Sequence, residues 1–387
     1  MPDNSADTGF EADIKNFLAE LIENEIIFDT EAENSGQEGS LDVLDDIQNL
    51  CTENRLLFSA CLELTYRCNE KCIHCFIDDA PPDDRLELNF EDYKNILQQL
   101  RALGCIYLLV TGGEPSLKSC FMDVCSYAKD LGFIVNIYTN GLNISDELFE
   151  KMAALKPNSI SVSMYGGDAQ THDAVTQIKG SFDKTLNTVL KLKCAGIDTF
   201  IKCSVLKNNF DNIEKLFKLG SLLGIDVTPS LLVTDTHNLQ DRKSLALDTK
   251  GEYEEFYEMY SKYDFKAPVD FSQVKRNIDE RVCAAGQYTL SIAPDGNVYP
   301  CNSFPLKLGN VRKNKIKDIW ENSAELQELR KFKFRSLSPE CGECEYSSAC
   351  AVCLGASYIE NDKKLMPCRT TCMAAKAKFE SRKEAVK

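Results

Sequence analysis

The chain has 387 residues, 43% of them hydrophobic, with 18 cysteines and a formal net charge of −16, which suits two or three domains around a large core and excludes a fibrous or disordered whole. No apolar run reaches membrane-spanning length, and the start, Met1-Pro-Asp-Asn-Ser-Ala-Asp7, lacks the basic and apolar stretch of a signal peptide, so the sequence predicts a cytoplasmic protein whose cysteines serve as metal ligands more readily than as disulfides. Residues 1–55 hold 15 Asp/Glu against 2 Lys/Arg, −13 of the total; the nearly neutral remainder has no basic cluster for phosphates, so neither nucleic acid nor a membrane is an expected partner.

Within the acidic head, Ile14, Phe17, Leu18, Leu21 and Ile22 fall at helical spacing and Ile26-Ile-Phe28 suits a short strand. Residues 29–46 read as an acidic linker, with Ser35-Gly36 and Gly39-Ser40 breaking any period. Cys61-Leu-Glu-Leu-Thr-Tyr66 then alternates as a strand does and leads into Cys68-Asn-Glu-Lys-Cys72-Ile-His-Cys75. A [4Fe–4S] cluster wants four ligands, so three thiols leave one iron open for chemistry. A zinc site beside an unrelated turn is the plainer alternative. A second strand-like run, Ile106-Tyr-Leu-Leu-Val110, ends in Thr111-Gly-Gly-Glu-Pro115, where two glycines allow a close backbone approach to a ligand and Glu114 accepts hydrogen bonds from an ammonium group.

Further strands are expected at Ile134–Tyr138, Ile160–Met164, Phe200–Val205 and Val227–Val233, with amphipathic helices near 89–103, 119–131, 145–155, 181–195 and 210–223. Gly104, Gly132, Gly196 and Gly224 stand where left-handed C-caps are cheapest. Six βα units imply an α/β fold, a parallel sheet curled into a partial (β/α)6 TIM-like barrel with ligand sites at the carboxyl ends of its strands. In the last third, Cys283 is followed by Gly296-Asn-Val-Tyr-Pro-Cys301 and by Cys341-X2-Cys344-X5-Cys350-X2-Cys353, with Cys368 and Cys372 beyond. Such order is foreign to core packing and speaks for metal centres, a zinc ribbon being the alternative.

The triad and the Gly112-Gly-Glu-Pro115 edge resemble those of the radical S-adenosylmethionine (SAM) enzymes. The resemblance implies that Cys68, Cys72 and Cys75 hold a [4Fe–4S] cluster, that SAM chelates its open iron, and that Gly112, Gly113, Glu114 and Pro115 bind the SAM amino group. His74 stands where the family has an aromatic residue near the adenine, and Asn140, Ser161 and Ser163 lie at strand ends that contact the ribose and carboxylate. The bland alternatives are an Asn140-Gly141 turn and serines that fill the barrel. This chain departs from the family's Ser-Leu-Asp-Gly with Ser163-Met-Tyr165-Gly166, and from His-Asp-X-X-Arg with His172-Asp-Ala-Val-Thr176; Lys202, expected to face inward on the fifth strand, is a candidate replacement for the missing arginine.

The carboxyl-terminal cysteines, with Leu290-Ser-Ile-Ala-Pro-Asp-Gly-Asn-Val-Tyr-Pro-Cys301 as a hairpin turning at Asp295-Gly296, resemble the SPASM domain of radical SAM enzymes that act on peptides, which holds two auxiliary iron–sulfur clusters. By position, Cys341, Cys344, Cys350 and preferably Cys368 bind the distal cluster; Cys283, Cys301 and Cys353 bind the proximal one, with Cys372 or an open iron completing it. The resulting organisation is an acidic segment 1–55, whose helix is similar to the last helix of winged-helix peptide-recognition modules, a radical SAM partial barrel at 56–268 and a SPASM domain at 269–387. The resemblance implies reductive SAM cleavage to a 5′-deoxyadenosyl radical, hydrogen abstraction from a ribosomal precursor peptide, and oxidative closure of a thioether or carbon–carbon cross-link. Expected partners are the peptide, an electron donor such as flavodoxin or ferredoxin, and a separate leader-binding protein if residues 1–55 do not bind the leader. Sulfatase-type protein oxidation, peptide epimerisation and a haem-precursor reaction are the enzymatic alternatives, and an iron–sulfur electron carrier is the non-enzymatic one. The cysteines at 51, 61, 105, 120, 125, 194 and 203 read first as small hydrophobes.

Overall fold

The computed structural model describes residues 47, 49–77, 86–236, 241–263 and 271–385. The chain divides into two compact units, residues 1–56 and 57–387. In the first, residues 49–53 are helical and Asn54 Nδ2 donates to the Leu50 carbonyl at 3.0 Å. The helix expected over 14–22, the strand at 26–28 and the linker at 29–46 lie outside the described residues.

The second unit is built on one sheet. Its strands are β1 (Ser59–Glu63), β2 (Tyr107–Thr111), β3 (Ile134–Thr139), β4 (Ser159–Ser163), β5 (Thr199–Ser204), β6 (Val227–Ser230), β7 (Thr289–Ile292), β8 (Asn297–Tyr299) and β9 (Gly309–Asn310), in the order β6-β5-β4-β3-β2-β1-β7-β8-β9. Strands β1 to β6 run parallel, as the alternating pattern predicts, and the sheet stays open. The hairpin expected from Leu290 to Cys301 forms as β7 and β8, but it is not a separate sheet: β7 adds to β1 in parallel, Cys61 opposite Ser291, and β8 and β9 continue antiparallel.

Helices α1 (Phe90–Ala102), α2 (Phe121–Asp130), α3 (Asp146–Leu155), α4 (Ala169–Thr176), α5 (Ser181–Cys194), α6 (Ile213–Leu223) and α7 (Lys250–Tyr260) connect or follow these strands. Their start and stop signals are local. In α1, Asn89 accepts from the Asp92 amide at 3.0 Å while Asp92 accepts from the Asn89 amide at 2.9 Å, and the buried face is Tyr93, Ile96, Leu97 and Leu100. Gly104, Gly132, Gly196 and Gly224 all carry positive φ, as expected of C-cap positions. Helix α4 is an addition to the expected set; Asp168 caps it by accepting from the Thr171 amide at 3.0 Å.

The sheet has two chemically distinct faces. Ala60, Leu62, Leu108, Val110, Val135 and Ile137 are buried with the apolar helix residues in the core. Their neighbours point the other way and are largely polar: Cys61 and Glu63 on β1, Asn136 and Tyr138 on β3, Ser161 and Ser163 on β4, and Lys202 on β5, aligned by the parallel register. At the edges, β6 contains Pro229 and β9 has only two residues. No described helix is long and apolar enough to cross a membrane.

Strand β1 starts two residues before the expected Cys61 and stops at Glu63. Beyond it, Leu64 still donates to the Thr111 carbonyl at 2.8 Å, after which the chain turns its carbonyls toward the β2 exit. Leu62 is fully buried at the middle of this strand; Leu62→Ala is expected to destabilise the fold by about 2–5 kcal/mol, read as a lower denaturant midpoint with an unchanged slope.

Candidate active site

The loop after β1 is held by the β2 exit. Gly113 donates to the Thr65 carbonyl at 2.6 Å and Glu114 to the Arg67 carbonyl at 2.8 Å. A Cβ on Gly112 would overlap the Thr65 carbonyl oxygen and one on Gly113 the Arg67 carbonyl oxygen, and Gly112 has φ +154°. The close approach anticipated at these glycines is therefore to the chain's own thiol-bearing loop, which they press into place. Thr65 adds a side-chain anchor, donating to Glu87 Oε1 at 2.5 Å, and Glu87 pairs with Lys118 at 2.7 Å, both side chains largely buried.

Glu114 is fully buried. Its carboxylate accepts from the Ser116 amide at 3.0 Å, the Thr139 hydroxyl at 2.9 and 3.0 Å and the Asn140 amide at 2.8 Å, so it ties the exit of β2 to that of β3. Burial raises its carboxyl above the ordinary value, and these hydrogen bonds pull it back. Asn140 does more than make the turn with Gly141: its Nδ2 donates to Asn69 Oδ1 at 2.7 Å and lies 3.6 Å from Cys68 Sγ. The rest of the triad loop hangs on α4, where Lys71 and Ile73 donate to the Thr176 and Val175 carbonyls, each at 3.0 Å.

The thiols themselves are part-buried. The Glu70 amide donates to Cys68 Sγ at 3.4 Å and Cys72 Sγ donates to Glu70 Oε2 at 3.3 Å. Burial pushes the Cys68 thiol up to about 12 and the Cys72 thiol higher still, so ionised thiolates here call for a cation to hold them. Around them, Asn69 Nδ2, Glu70 Oε1 and His74 Nδ1 are buried without hydrogen-bond partners, an arrangement that awaits a bound group. His74 packs edge-on against Tyr165, ring centroids 4.7 Å apart, and burial together with the Arg242 charge lowers it to about 4, keeping it neutral.

Tyr165, where the resembled family has aspartate, was not foreseen as a wall of this site. It stacks on His172 at 5.8 Å, its amide donates to His172 Nδ1 at 3.2 Å, and Asn209 donates to its carbonyl at 2.9 Å. The only sequence signal was the departure itself. Asp173 is engaged elsewhere, accepting from Gly180, Ser181 and Phe182 at the start of α5. On the polar sheet face, Lys202 pairs in register with Ser163, its Nζ stands 5.7 Å over the Tyr138 ring, and burial lowers it. Ser161 is buried in register with Tyr138.

The later cysteines form two neighbourhoods. Cys301 is pushed up to about 12 by burial, with further contributions from Cys353 and Cys283. Cys350 is likewise raised to about 12 by burial, with Cys372, Cys341 and Cys344 adding to it, while Arg276 opposes the shift. Cys372 feels Cys368 first and then Cys341 and Cys344, while Cys368 also feels Cys353. Cys372 lies in the first turn of the helix Arg369–Ala385 and Cys368 just ahead of it. Among the described residues no three His, Cys, Asp or Glu side chains converge as on a single ion; a cubane binds one thiolate per iron, so its ligands stand apart.

Residues 62–220 match the Radical SAM superfamily, and residues 283–345 match SPASM, an iron–sulfur cluster-binding domain. This chain is a radical SAM enzyme with a SPASM domain. Its family implies a [4Fe–4S] cluster with SAM and auxiliary iron–sulfur clusters, and the neutral, part-buried thiols ringed by unpartnered polar atoms fit the first of these. An AdoMet-dependent heme synthase of Methanosarcina barkeri is 29% identical over 321 residues, spanning 76% of this chain and 90% of its own. The mycofactocin maturase MftC of Mycolicibacterium smegmatis is 28% identical over 319 residues, spanning 76% and 78%. Among solved structures, Streptococcus suis SuiB bound to S-adenosylmethionine has a TM-score of 0.65 at 16% identity, covering 94% of this chain and 88% of its own. Native anSMEcpe with bound AdoMet has a TM-score of 0.68 at 18% identity, covering 85% and 98%. These structural likenesses concern the fold of the radical SAM enzyme.

Two outcomes follow. Gly112→Ala is expected to cost roughly 1–3 kcal/mol and to lower the thermal midpoint, since the loop and the β2 exit cannot both keep their places. His172 is lowered by burial from 6.5 to about 4, so the unfolded chain takes up its proton first as pH falls. Relative to His172→Gln, the wild type is expected to lose stability as pH drops from about 6.5 to 4, in denaturation curves collected for both across that range.

Proposed function

We propose that this chain modifies a ribosomal precursor peptide by oxidation, closing a thioether or carbon–carbon cross-link. The observation that carries the reading is the shared sheet: β1 leads to the Cys68–Cys75 loop, and its parallel neighbour β7 begins the hairpin that ends at Cys301. A substrate on the polar face of that sheet has one cysteine set beside each of two adjacent strands, which suits removal of a hydrogen atom at one and of an electron at the other. The similarity to MftC, and to the sporulation killing factor maturation protein SkfB of Bacillus subtilis at 27% identity over 278 residues, supports peptide as the substrate class, as does the crystallisation of SuiB with its precursor peptide SuiA.

In this reading residues 56–268 form the SAM-binding barrel and residues 269–387 the auxiliary-cluster domain. Cys68, Cys72 and Cys75 hold the open cluster; Cys283, Cys301, Cys353 and Cys368 hold the proximal auxiliary one and Cys341, Cys344, Cys350 and Cys372 the distal one. When bound, the reduced cluster and SAM supply a 5′-deoxyadenosyl radical. The chain's own residues orient and exclude. Gly112 to Pro115 fix the loop, His74 offers a neutral ring wall held by Tyr165, and Asn140, Ser161, Ser163 and Lys202 present donors from the strand ends and sheet face. The protein works in the cytoplasm, drawing electrons from a flavodoxin or ferredoxin, and the acidic segment 1–55 or a separate protein recognises the leader.

A second reading has its own support, because the AdoMet-dependent heme synthase of Methanosarcina barkeri matches over as much of the chain as MftC and at slightly higher identity. Anaerobic, iron- and sulfide-reconstituted protein with dithionite and SAM is expected to release 5′-deoxyadenosine, and Cys72→Ala to fall to the level without enzyme. Short peptides encoded beside the gene are then offered against a haem precursor. A peptide lighter by two hydrogen masses supports the proposal; conversion of the haem precursor to haem with every peptide untouched overturns it.

A further inference from the structure

The most unusual group on the polar sheet face is the last residue of β1. Glu63 is 3% exposed and lies in register with Thr111 on β2, one pairing beyond the seam with β7. It lies five residues ahead of Cys68 in the chain and near enough to Cys301 for its charge to be felt there. Among the described residues, the groups that interact with it are Cys61 on its own strand, Tyr66 on the loop beyond, Ser291 on β7, Asp295 at the hairpin turn, and Tyr299 and Cys301 on and after β8. None is a cation. Burial, reinforced by Asp295, pushes the Glu63 carboxyl up to about 8, with only the Ser291 hydroxyl opposing.

Ser291 is itself fully buried, and its Oγ has no hydrogen-bond partner within bonding geometry. A buried hydroxyl held near a buried carboxyl that has no counter-ion is an expensive pair for a purely structural role. Packing on that face would be served by the apolar residues used everywhere on the other.

We propose that Glu63, steadied by Ser291, is the proton acceptor for the substrate's oxidation. The proposal rests on the peptide reading above. Closing a cross-link breaks one C–H bond and one X–H bond and forms one C–X bond. With the family's cofactors bound, one hydrogen atom would leave as 5′-deoxyadenosine and one electron would be accepted by an auxiliary cluster; one proton remains, which the ionised Glu63 carboxylate takes to become the acid. A base works best when its own proton affinity lies near the working pH, and Glu63 is the carboxyl on this face whose surroundings put it there.

The test uses the full chain and two readouts. The first is thermal stability from pH 4 to 9. The folded carboxyl keeps its proton up to about 8 while the unfolded one loses it near 4.5, so the wild type loses stability relative to Glu63→Gln, which cannot ionise, as pH rises between those values. The second is cross-linked product per 5′-deoxyadenosine, with the encoded precursor peptide that the wild type modifies as the probe. In the wild type this ratio rises with pH through about 8; it drops by about a hundredfold or more in Glu63→Gln and is partly recovered in Glu63→Asp. A Glu63→Gln protein whose ratio matches the wild type, or a wild-type stability profile that superimposes on that of Glu63→Gln, overturns the proposal. A wild type that cleaves SAM and modifies no peptide brings down the peptide reading, an outcome distinct from a defect confined to the variants.

Discussion

The structure depends on the register of β1. This strand pairs in parallel on both sides, with Cys61 opposite Leu109 of β2 and opposite Ser291 of β7. Because side chains alternate across a strand, a slip of one residue would carry the Glu63 carboxyl into the hydrocarbon core and Leu62 out to the polar face. The penalty for that exchange fixes the strand on both sides at once. From the fixed strand follow the position of Thr65 and Arg67, whose carbonyls receive the Gly113 and Glu114 amides, and so the place of the triad loop.

Polar burial is handled differently in two regions of the site. Around Glu114 the donors of β2 and β3 exits are matched to a buried carboxylate, and the result is a rigid corner. Around the triad the matching is left incomplete at Asn69, Glu70 and His74. A frame satisfied by its own hydrogen bonds surrounds a place whose polar atoms are not, and that contrast separates scaffold from binding site more sharply than burial does.

Much of this was legible in the sequence because the signals are short-range. The triad spacing, the Gly112-Gly-Glu-Pro115 turn, the Asn89/Asp92 capping box and the helix-ending glycines each act within a few residues. What was not legible involves partners distant in the chain. Nothing near Leu290 says that its strand will lie against Ala60, since pairing of that kind is decided by how the whole sheet closes its seam. Helix α4, Ala-Gln-Thr-His-Asp-Ala-Val-Thr, carries too few apolar residues for a period and is set by its Asp168 cap and by the loop that hangs on it. Cys368 and Cys372 are four apart at the start of one helix, so spacing permits either order. Tyr165 shows itself only as a mismatch to a family pattern, and its contacts with His74 and His172 come from three separate segments.

The two ends of the sheet bear on how this protein survives its own synthesis. Among the described residues, the nine-stranded sheet ends at β6 and β9 with no further strand paired to either, and such edges are templates for any passing extended chain, including the unfolded peptides on which such an enzyme is proposed to act. One edge is interrupted at Pro229, which has no amide to give, and the other ends on a strand of two residues. Neither edge makes a good template for a further strand, so an extended peptide has little to gain from lengthening the sheet, and self-association through its rims is discouraged in the same way.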